Sequence, residues 1–305
     1  MKINSLKFNN STIHKMYHGN ELVNKIGDAF TYMEASGDTP TPPTPVPYSG
    51  QYLTIESLND NNTITWKASY AGGLTISAST DNGSTWTEYT SSFYGTPIAT
   101  LNTGDKVLVK GTNEAYAISN SGNNRFLTNE NFIVYGNIMS LISGDTFVNA
   151  DTLTTAYTFA NLFRDATGLT SASNLILPAT TLANNCYYQM FYGCTSLLAA
   201  PSILPATTLA TACYHEMFRG CRNLTTAPVL PARMLINSCY QNMFNGCTSL
   251  NYIKCLATIL AANNCTYRWV NNVSASGTFV KAASMSSWAT GANGIPTGWT
   301  VQNDR

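Results

Sequence analysis

The chain has 305 residues, enough for two or three modules with separate cores, and carries 16 basic against 16 acidic side chains. A formal charge of zero with only 10% charged residues excludes the basic footprint of a nucleic-acid binder and the polybasic patch of a membrane-surface protein. Solubility must come from Thr, Ser and Asn, which suits an extracellular or particle-exposed surface better than an electrostatically steered enzyme. No apolar run approaches the ~20 residues that span a bilayer, so membrane insertion is not expected.

Residues 1–36 read as a β meander, with short strands at 3–8, 12–17 and 21–26 separated by Asn9-Asn10-Ser11 and Gly19-Asn20. Residues 1–10 alternate polar and apolar and have no continuous apolar stretch, so they do not read as a secretory signal. The expectation is a chain made in the cytoplasm and not exported by the usual route. Such a meander is too small to bury a core alone. It is therefore read as an attachment segment, with Ile3, Leu6, Phe8, Ile13, Tyr17, Leu22 and Val23 as the residues that dock onto a partner. His14 and His18 lie here as well, but on a strand pattern a spacing of four does not make a metal pair.

Residues 37–47 read as a linker around Thr39-Pro-Thr-Pro-Pro-Thr-Pro-Val-Pro47. Five prolines in nine residues favour polyproline II, a semi-rigid spacer of about 28 Å. Residues 48–136 read as a small β-sandwich. Period-two runs at 52–55, 63–66, 74–77, 86–89 and 106–109 are separated by Asn, Asp and Gly clusters. Ser79-Thr-Asp81-Asn-Gly83-Ser-Thr85-Trp86 has the pattern of an Asp-box. Its physics is local: Asp81 accepts from turn N–H groups, Gly83 supplies positive φ, and Trp86 packs the hairpin onto the sheet. It is read as a hairpin lock and not as catalytic machinery. A sialidase would need several boxes and arginines that grip a carboxylate; this chain has one box and no arginine before Arg125.

From residue 137 the sequence repeats itself. Leu177-Pro-Ala-Thr-Thr-Leu182 leads to Cys186-Tyr-Tyr-Gln-Met-Phe-Tyr-Gly-Cys194, and Leu204-Pro-Ala-Thr-Thr-Leu209 to Cys213-Tyr-His-Glu-Met-Phe-Arg-Gly-Cys221. Leu230-Pro-Ala-Arg-Met-Leu235 leads to Cys239-Tyr-Gln-Asn-Met-Phe-Asn-Gly-Cys247. Spacings of 27 and 26 residues fall where a repeat means a solenoid. Residues 138–142 read as its lead-in, and 158–169 as a degenerate first repeat in which Leu162-Phe163 replaces Met190-Phe191. Residues 263–270 repeat the frame once more with Trp269 in place of Met. The array is assigned to 137–280 and a C-terminal cap, rich in Trp288 and Trp299, to 281–305.

Within one repeat, residues 212–218 read as a short helical turn. Cys213 and Met217 lie four apart on one face, as do Tyr214 and Phe218, and Gly220 ends the turn in a left-handed conformation. Leu224 to Leu230 is then extended, and Pro231 prevents helix from resuming. A strand, a helical turn and leucines between them make a leucine-rich repeat. Seven of the eight cysteines occupy two columns: Cys186, Cys213, Cys239 and Cys265, then Cys194, Cys221 and Cys247. Cys255 sits just before a repeat-opening Leu. A stacked apolar core column is the reading adopted. Disulfides between rungs are geometrically conceivable but disfavoured by a cytoplasmic origin. The C-x7-C spacing is too wide for the tight pairs of a zinc site.

The Gly-Cys-Thr-Ser-Leu runs at 193–197 and 246–250, the preceding Met-Phe pairs and the Leu-Pro steps resemble BspA-type leucine-rich repeats over roughly 137–280. Such repeats occur in surface proteins of gut Bacteroidales and in phages that infect them. The order of short strands, Thr-Pro linker and β-domain resembles virion fibre and receptor-binding proteins of crAss-like phages. That resemblance implies a non-enzymatic virion structural protein, a head or tail fibre or decoration. It would be anchored to other virion proteins through 1–36, homo-oligomeric, and would present the repeats to a host-surface glycan or protein. A bacterial cell-surface adhesin is the alternative. Positions that vary inside the constant frame are the candidate ligand contacts: Tyr188, His215, Gln241 and Tyr267 in one column, Tyr192, Arg219 and Asn245 in another. No cofactor, metal or nucleic acid is expected. Three histidines without carboxylate partners, and Asp105 and Asp151 standing alone, offer no acid–base pair.

Overall fold

Strands dominate the chain, as its alternating runs rich in Thr, Val, Ile and Tyr require. The computed structural model describes residues 48–70, 73–120 and 122–304, together with the backbone of four short strands nearer the N-terminus. Two units separate at Ser49/Gly50. In the first, β1 (Lys7–Phe8) pairs antiparallel with β2 (Ser11–Thr12), and β3 (Val23–Ile26) with β4 (Ala29–Tyr32). Among the described residues these pairs form two two-stranded sheets. Phe8 and Val23 fall in β1 and β3; Ile3, Leu6, Ile13, Tyr17, Leu22 and the linker lie outside the described residues.

The second unit opens with β5 (Leu53–Ser57), β6 (Asn62–Ala68), β7 (Thr75–Ser79), β8 (Thr87–Thr90), β9 (Thr96–Leu101), β10 (Lys106–Lys110), β11 (Asn124–Thr128) and β12 (Phe132–Asn137). The five runs read from the sequence are β5, β6, β7, β8 and β10. β9 is hidden by Pro97, which is tolerated because β9 is the edge of the three-stranded sheet β11-β6-β9. β12 is hidden by Gly136, where a Cβ would stand 2.1 Å from the Tyr52 carbonyl oxygen. Leu53, Ile55, Val107, Val109 and Val134 from the larger sheet share one core with Ile64, Trp66 and Phe126 from the smaller. Each such side chain contributes roughly 1.5–3 kcal/mol on burial.

The division expected at 136/137 is crossed by backbone. β12 pairs in parallel with β13 (Leu169–Ile176), so the larger sheet runs β13-β12-β5-β10-β7-β8. Between them, α1 (Ser140–Ser143) is pinned by Ser140, whose Oγ accepts from the Leu53 N–H at 3.0 Å and donates to the Val109 carbonyl at 2.9 Å. The first repeat packs on the strand module as though on a neighbouring repeat: Tyr116 N–H donates to Thr158 O at 2.8 Å, and Phe126 N–H to Leu162 O at 2.9 Å.

The helical turn expected at 212–218 does not form. Residues 185, 189 and 193 have positive φ, as do 212, 216 and 220, then 238, 242 and 246, then 264, 268 and 272. A first set stands at 157, 161 and 165, which makes five repeats. The segment is therefore a run of four-residue turns. Alternate amides close a turn locally, as Tyr188 N–H does on Asn185 O at 3.1 Å and Met190 N–H on Tyr187 O at 3.2 Å. The amides between them donate to the next repeat: Tyr187 to Cys213 O, Gln189 to His215 O, Phe191 to Met217 O and Gly193 to Arg219 O, all at 2.9 Å. A helix would spend every amide internally, and one this short, below ~12 residues, is marginal in any case. The turn run sends half its amides across the stack. A spacing of four still places Cys213 with Met217, and Tyr214 with Phe218, so the buried faces are those read from the sequence.

Two aromatic columns run down the array. Phe159, Tyr187, Tyr214, Tyr240 and Trp269 stack at 5.6–6.1 Å between centroids, and Phe163, Phe191, Phe218 and Phe244 at 5.3–5.7 Å. The columns start inside the strand module, at Tyr116 (6.3 Å from Phe159) and Phe126 (5.9 Å from Phe163). They end at Trp288, stacked on Trp269 at 5.8 Å. There β14 (Tyr252–Cys255), β15 (Thr278–Lys281) and β16 (Thr300–Asn303) form a parallel sheet closed by a Lys254–Asp304 ion pair at 2.6 Å.

All eight cysteines are buried free thiols. The second column has a further reason to be Cys: the Sγ–H groups of Cys194, Cys221 and Cys247 each donate at 3.0 Å to a phenylalanine carbonyl one repeat back, on Phe163, Phe191 and Phe218. Burial pushes the thiols of Cys247 and Cys255 up to about 12.

Candidate binding face on the turn side of the repeats

The turn run gives every repeat the same three positions around its second positive-φ residue, of which the middle one is buried at Asn161, Gln189 and Glu216. Tyr188, His215, Gln241 and Tyr267 align in one row; Tyr192, Arg219 and Asn245 align in the other, extended by Arg164 before them and Asn271 after them. The two rows of the sequence reading are therefore brought to one face. Tyr188 is the exception in exposure, since it is buried beside Ala117, Ala160 and Tyr157. Its ring meets the His215 ring edge-on at 5.1 Å. His215 and Gln241 are half-buried and Tyr267 is exposed. In the second row the Tyr192 ring lies between two guanidinium groups, Arg164 at 4.8 Å and Arg219 at 5.6 Å.

Between the rows runs a third that sequence reasoning missed: Asn161, Gln189, Glu216, Asn242 and Arg268, each at positive φ. Left-handed backbone costs a residue of this kind about 1 kcal/mol or more. Side-chain hydrogen bonds offset it at Gln189, Glu216 and Asn242, whereas the buried Asn161 Nδ2 has no partner among the described residues. Arg125 donates to Asp165 at 2.9 Å, Arg164 to Gln189 Oε1 at 2.6 Å, and the Gln189 amide to Glu216. Glu216, whose side chain is 9% exposed, also accepts from Arg219 at 2.5 Å and from Asn242 at 3.3 Å. Asn245 then donates to Asn242, and Asn271 to Asn245, both at 3.1 Å. A polar ladder thus crosses from β11 to the fifth repeat. The signal was present in the sequence, because the residue before each Met is polar (Gln189, Glu216, Asn242). A polar position next to an invariant core pair reads as surface until its φ is known.

The charged groups of this face are four arginines, Arg125, Arg164, Arg219 and Arg268, against two carboxylates, Asp165 and Glu216. The Glu216 carboxylate is held by Arg219, with His215 Nε2 at 3.9 Å. Burial lowers the His215 pKa; the Glu216 charge opposes that shift and the Arg219 charge adds to it. The face therefore offers hydrogen-bonding edges (phenol, imidazole, amide and guanidinium) at a fixed interval set by the backbone ladder. Among the described residues, no group of three or more His, Cys, Asp or Glu side chains could hold a metal ion, and no helix is long and apolar enough to cross a membrane. Comparison with protein-family models, with curated proteins and with solved structures finds no match.

Proposed function

We propose that this chain is a non-enzymatic adhesive protein of a phage virion, a head or tail fibre or decoration. In this reading a BspA-type leucine-rich-repeat solenoid, carried on a small β-sandwich, is displayed to the host surface, and residues 1–36 attach to other virion proteins. The observation that carries it is the turn face, where rows of varied polar and aromatic side chains stand in register on an invariant core. A scaffold whose frame is constant and whose outward letters differ is suited to recognition, since changes in those letters leave the stack intact. Hydrogen-bonding edges and aromatic rings at a regular interval suit a host glycan or protein surface.

The test is binding of the labelled full-length protein to intact Bacteroidales cells. Alanine at His215, Gln241, Tyr267 and Asn245 together is expected to weaken binding at least about tenfold, the loss of one or two good contacts. Unchanged binding by a variant with an unchanged melting temperature would remove the turn face as the adhesive surface. Immunogold labelling of purified virions tests location separately. Label on bacterial envelopes and none on particles would favour a cell-surface adhesin.

A further inference from the structure

A second candidate site lies in the strand module, away from the repeats. The hairpin joining β7 to β8 and the turn joining β9 to β10 form the two lips of an open cleft of about 570 Å³. Ile98, Ala99, Leu101 and Tyr89 contribute its apolar lining; Thr80, Asn82, Thr100, Asp105 and Lys106 supply the polar groups. The volume falls in the range of small-molecule sites.

Each lip is clamped by its own carboxylate. On the first, Asp81 accepts from the Ser79 hydroxyl and the Thr85 hydroxyl, both at 2.6 Å, and from the Thr85 N–H at 2.9 Å. Asn82 and Gly83 take positive φ of 57° and 88°, and the Trp86 indole donates to Gly83 O at 3.1 Å. On the second, Asp105 N–H donates to Asn102 O at 3.0 Å and Asp105 Oδ2 accepts from Asn102 N–H at 3.0 Å. Asp60 holds the same turn from outside, accepting from the Thr103 N–H and hydroxyl at 2.9 Å each. Fixing both lips removes the ordering cost that two mobile loops would charge against a ligand. Among the described residues the Asn82 amide, the second oxygen of Asp105 and the Lys106 ammonium make no hydrogen bond or ion pair, and all three border the same cleft.

The charges define the ligand class. One ammonium beside one carboxylate gives no net field for an anion, and the carboxylate repels phosphate. The polar rim disfavours a lipid or a flat aromatic. An amide, a carboxylate oxygen, an ammonium and hydroxyls around a tyrosine ring match adjacent hydroxyls on a ring with one apolar face. We propose that this cleft binds a neutral pyranoside of one or two sugar units, independently of the turn face of the repeats.

The experiment uses the full-length protein labelled with 15N and titrated in turn with the methyl glycosides of glucose, galactose, mannose and N-acetylglucosamine. N-acetylneuraminic acid and inorganic phosphate serve as charged comparisons. At least one neutral glycoside is expected to shift the amides of Thr80, Asn82, Thr100, Asp105 and Lys106 and leave those of residues 185–272 in place. Thr100→Trp, at an exposed position, fills the cleft and is expected to abolish the shifts. Asn82→Gly, which keeps the positive φ, with Asp105→Asn, which keeps an oxygen for the Asn102 N–H, is expected to weaken binding about tenfold. No response to any of the neutral glycosides, response to the charged probes alone, or shifts that survive Thr100→Trp would each overturn the proposal. Failure here leaves adhesion through the repeats standing, since that is read from cell binding and from different residues.

Discussion

The strand module and the repeat array share one continuous core but distribute their hydrogen bonds differently. In the module, partners are far apart in the chain: the Asn62 side chain donates to Asn131 O, and β5 lies between β12 and β10. In the array the amides that leave their own turn each reach one repeat on, so the same register recurs from Tyr187 on Cys213 to Phe244 on Trp269. The module therefore needs most of its sequence at once, whereas the array is close to a sum of identical interfaces. Long-range order in the module supplies the first rung on which local order propagates.

The largest expected effect separating the two regions is alkaline. All eight cysteines lie at or beyond residue 186, within the array. An unfolded thiol titrates near 8.5, whereas burial holds Cys247 and Cys255 up to about 12. A folded pKa above the unfolded one means that the folded state keeps protons the unfolded state has lost. This stability is complete below about pH 8.5 and disappears as pH rises toward about 12. Each such thiol costs up to about 1.4 kcal/mol per pH unit in that window. Urea midpoints followed from pH 8 upward should fall steeply, with exchange protection lost in 186–265 before β5–β11. A flat profile to pH 11 would mean that the thiols are not buried in solution.

Phe218→Ala should cost about 3–5 kcal/mol, because the ring packs between Phe191 and Phe244 and leaves a void. Amides in 238–272 are expected to lose protection while those of β5–β11 keep theirs. Equal loss in both regions would show that the array is not separable from the module. Glu216→Ala is expected to cost about 2–3 kcal/mol, as it leaves Arg219, Gln189 and Asn242 without their shared acceptor. Because the ladder is confined to one face, urea unfolding should keep its slope and shift only its midpoint. Tyr267→Ala, at an exposed row position, should move stability by no more than about 0.5 kcal/mol while still weakening cell binding. A large stability loss there would make the row structural.

Much of the array was legible because its spacing of four is shared by a helix and by a run of four-residue turns. Cys213 with Met217 and Tyr214 with Phe218 fall on buried faces under either conformation. The conformation itself was not legible. Glu216 and Gln189 are poor choices for positive φ, and nothing local predicts that they adopt it. β9, β11 and β12 escaped for related reasons. Pro97 is acceptable only on an edge, and Gly136 is needed because its φ is 87° and Tyr52 passes where a Cβ would stand.

The sequence by itself determined the repeat, its register from residue 157 onward, the buried columns and the neutral, hydroxyl- and amide-rich surface, since these follow from spacing and side-chain chemistry. Only the tertiary structure decided that the turns send alternate amides to the next repeat, that Gln189, Glu216 and Asn242 join into a ladder, and that the strand module is the cap on which the stack begins. Those features depend on backbone amides and polar side chains meeting partners some 25 or more residues away, which no local pattern of residues specifies.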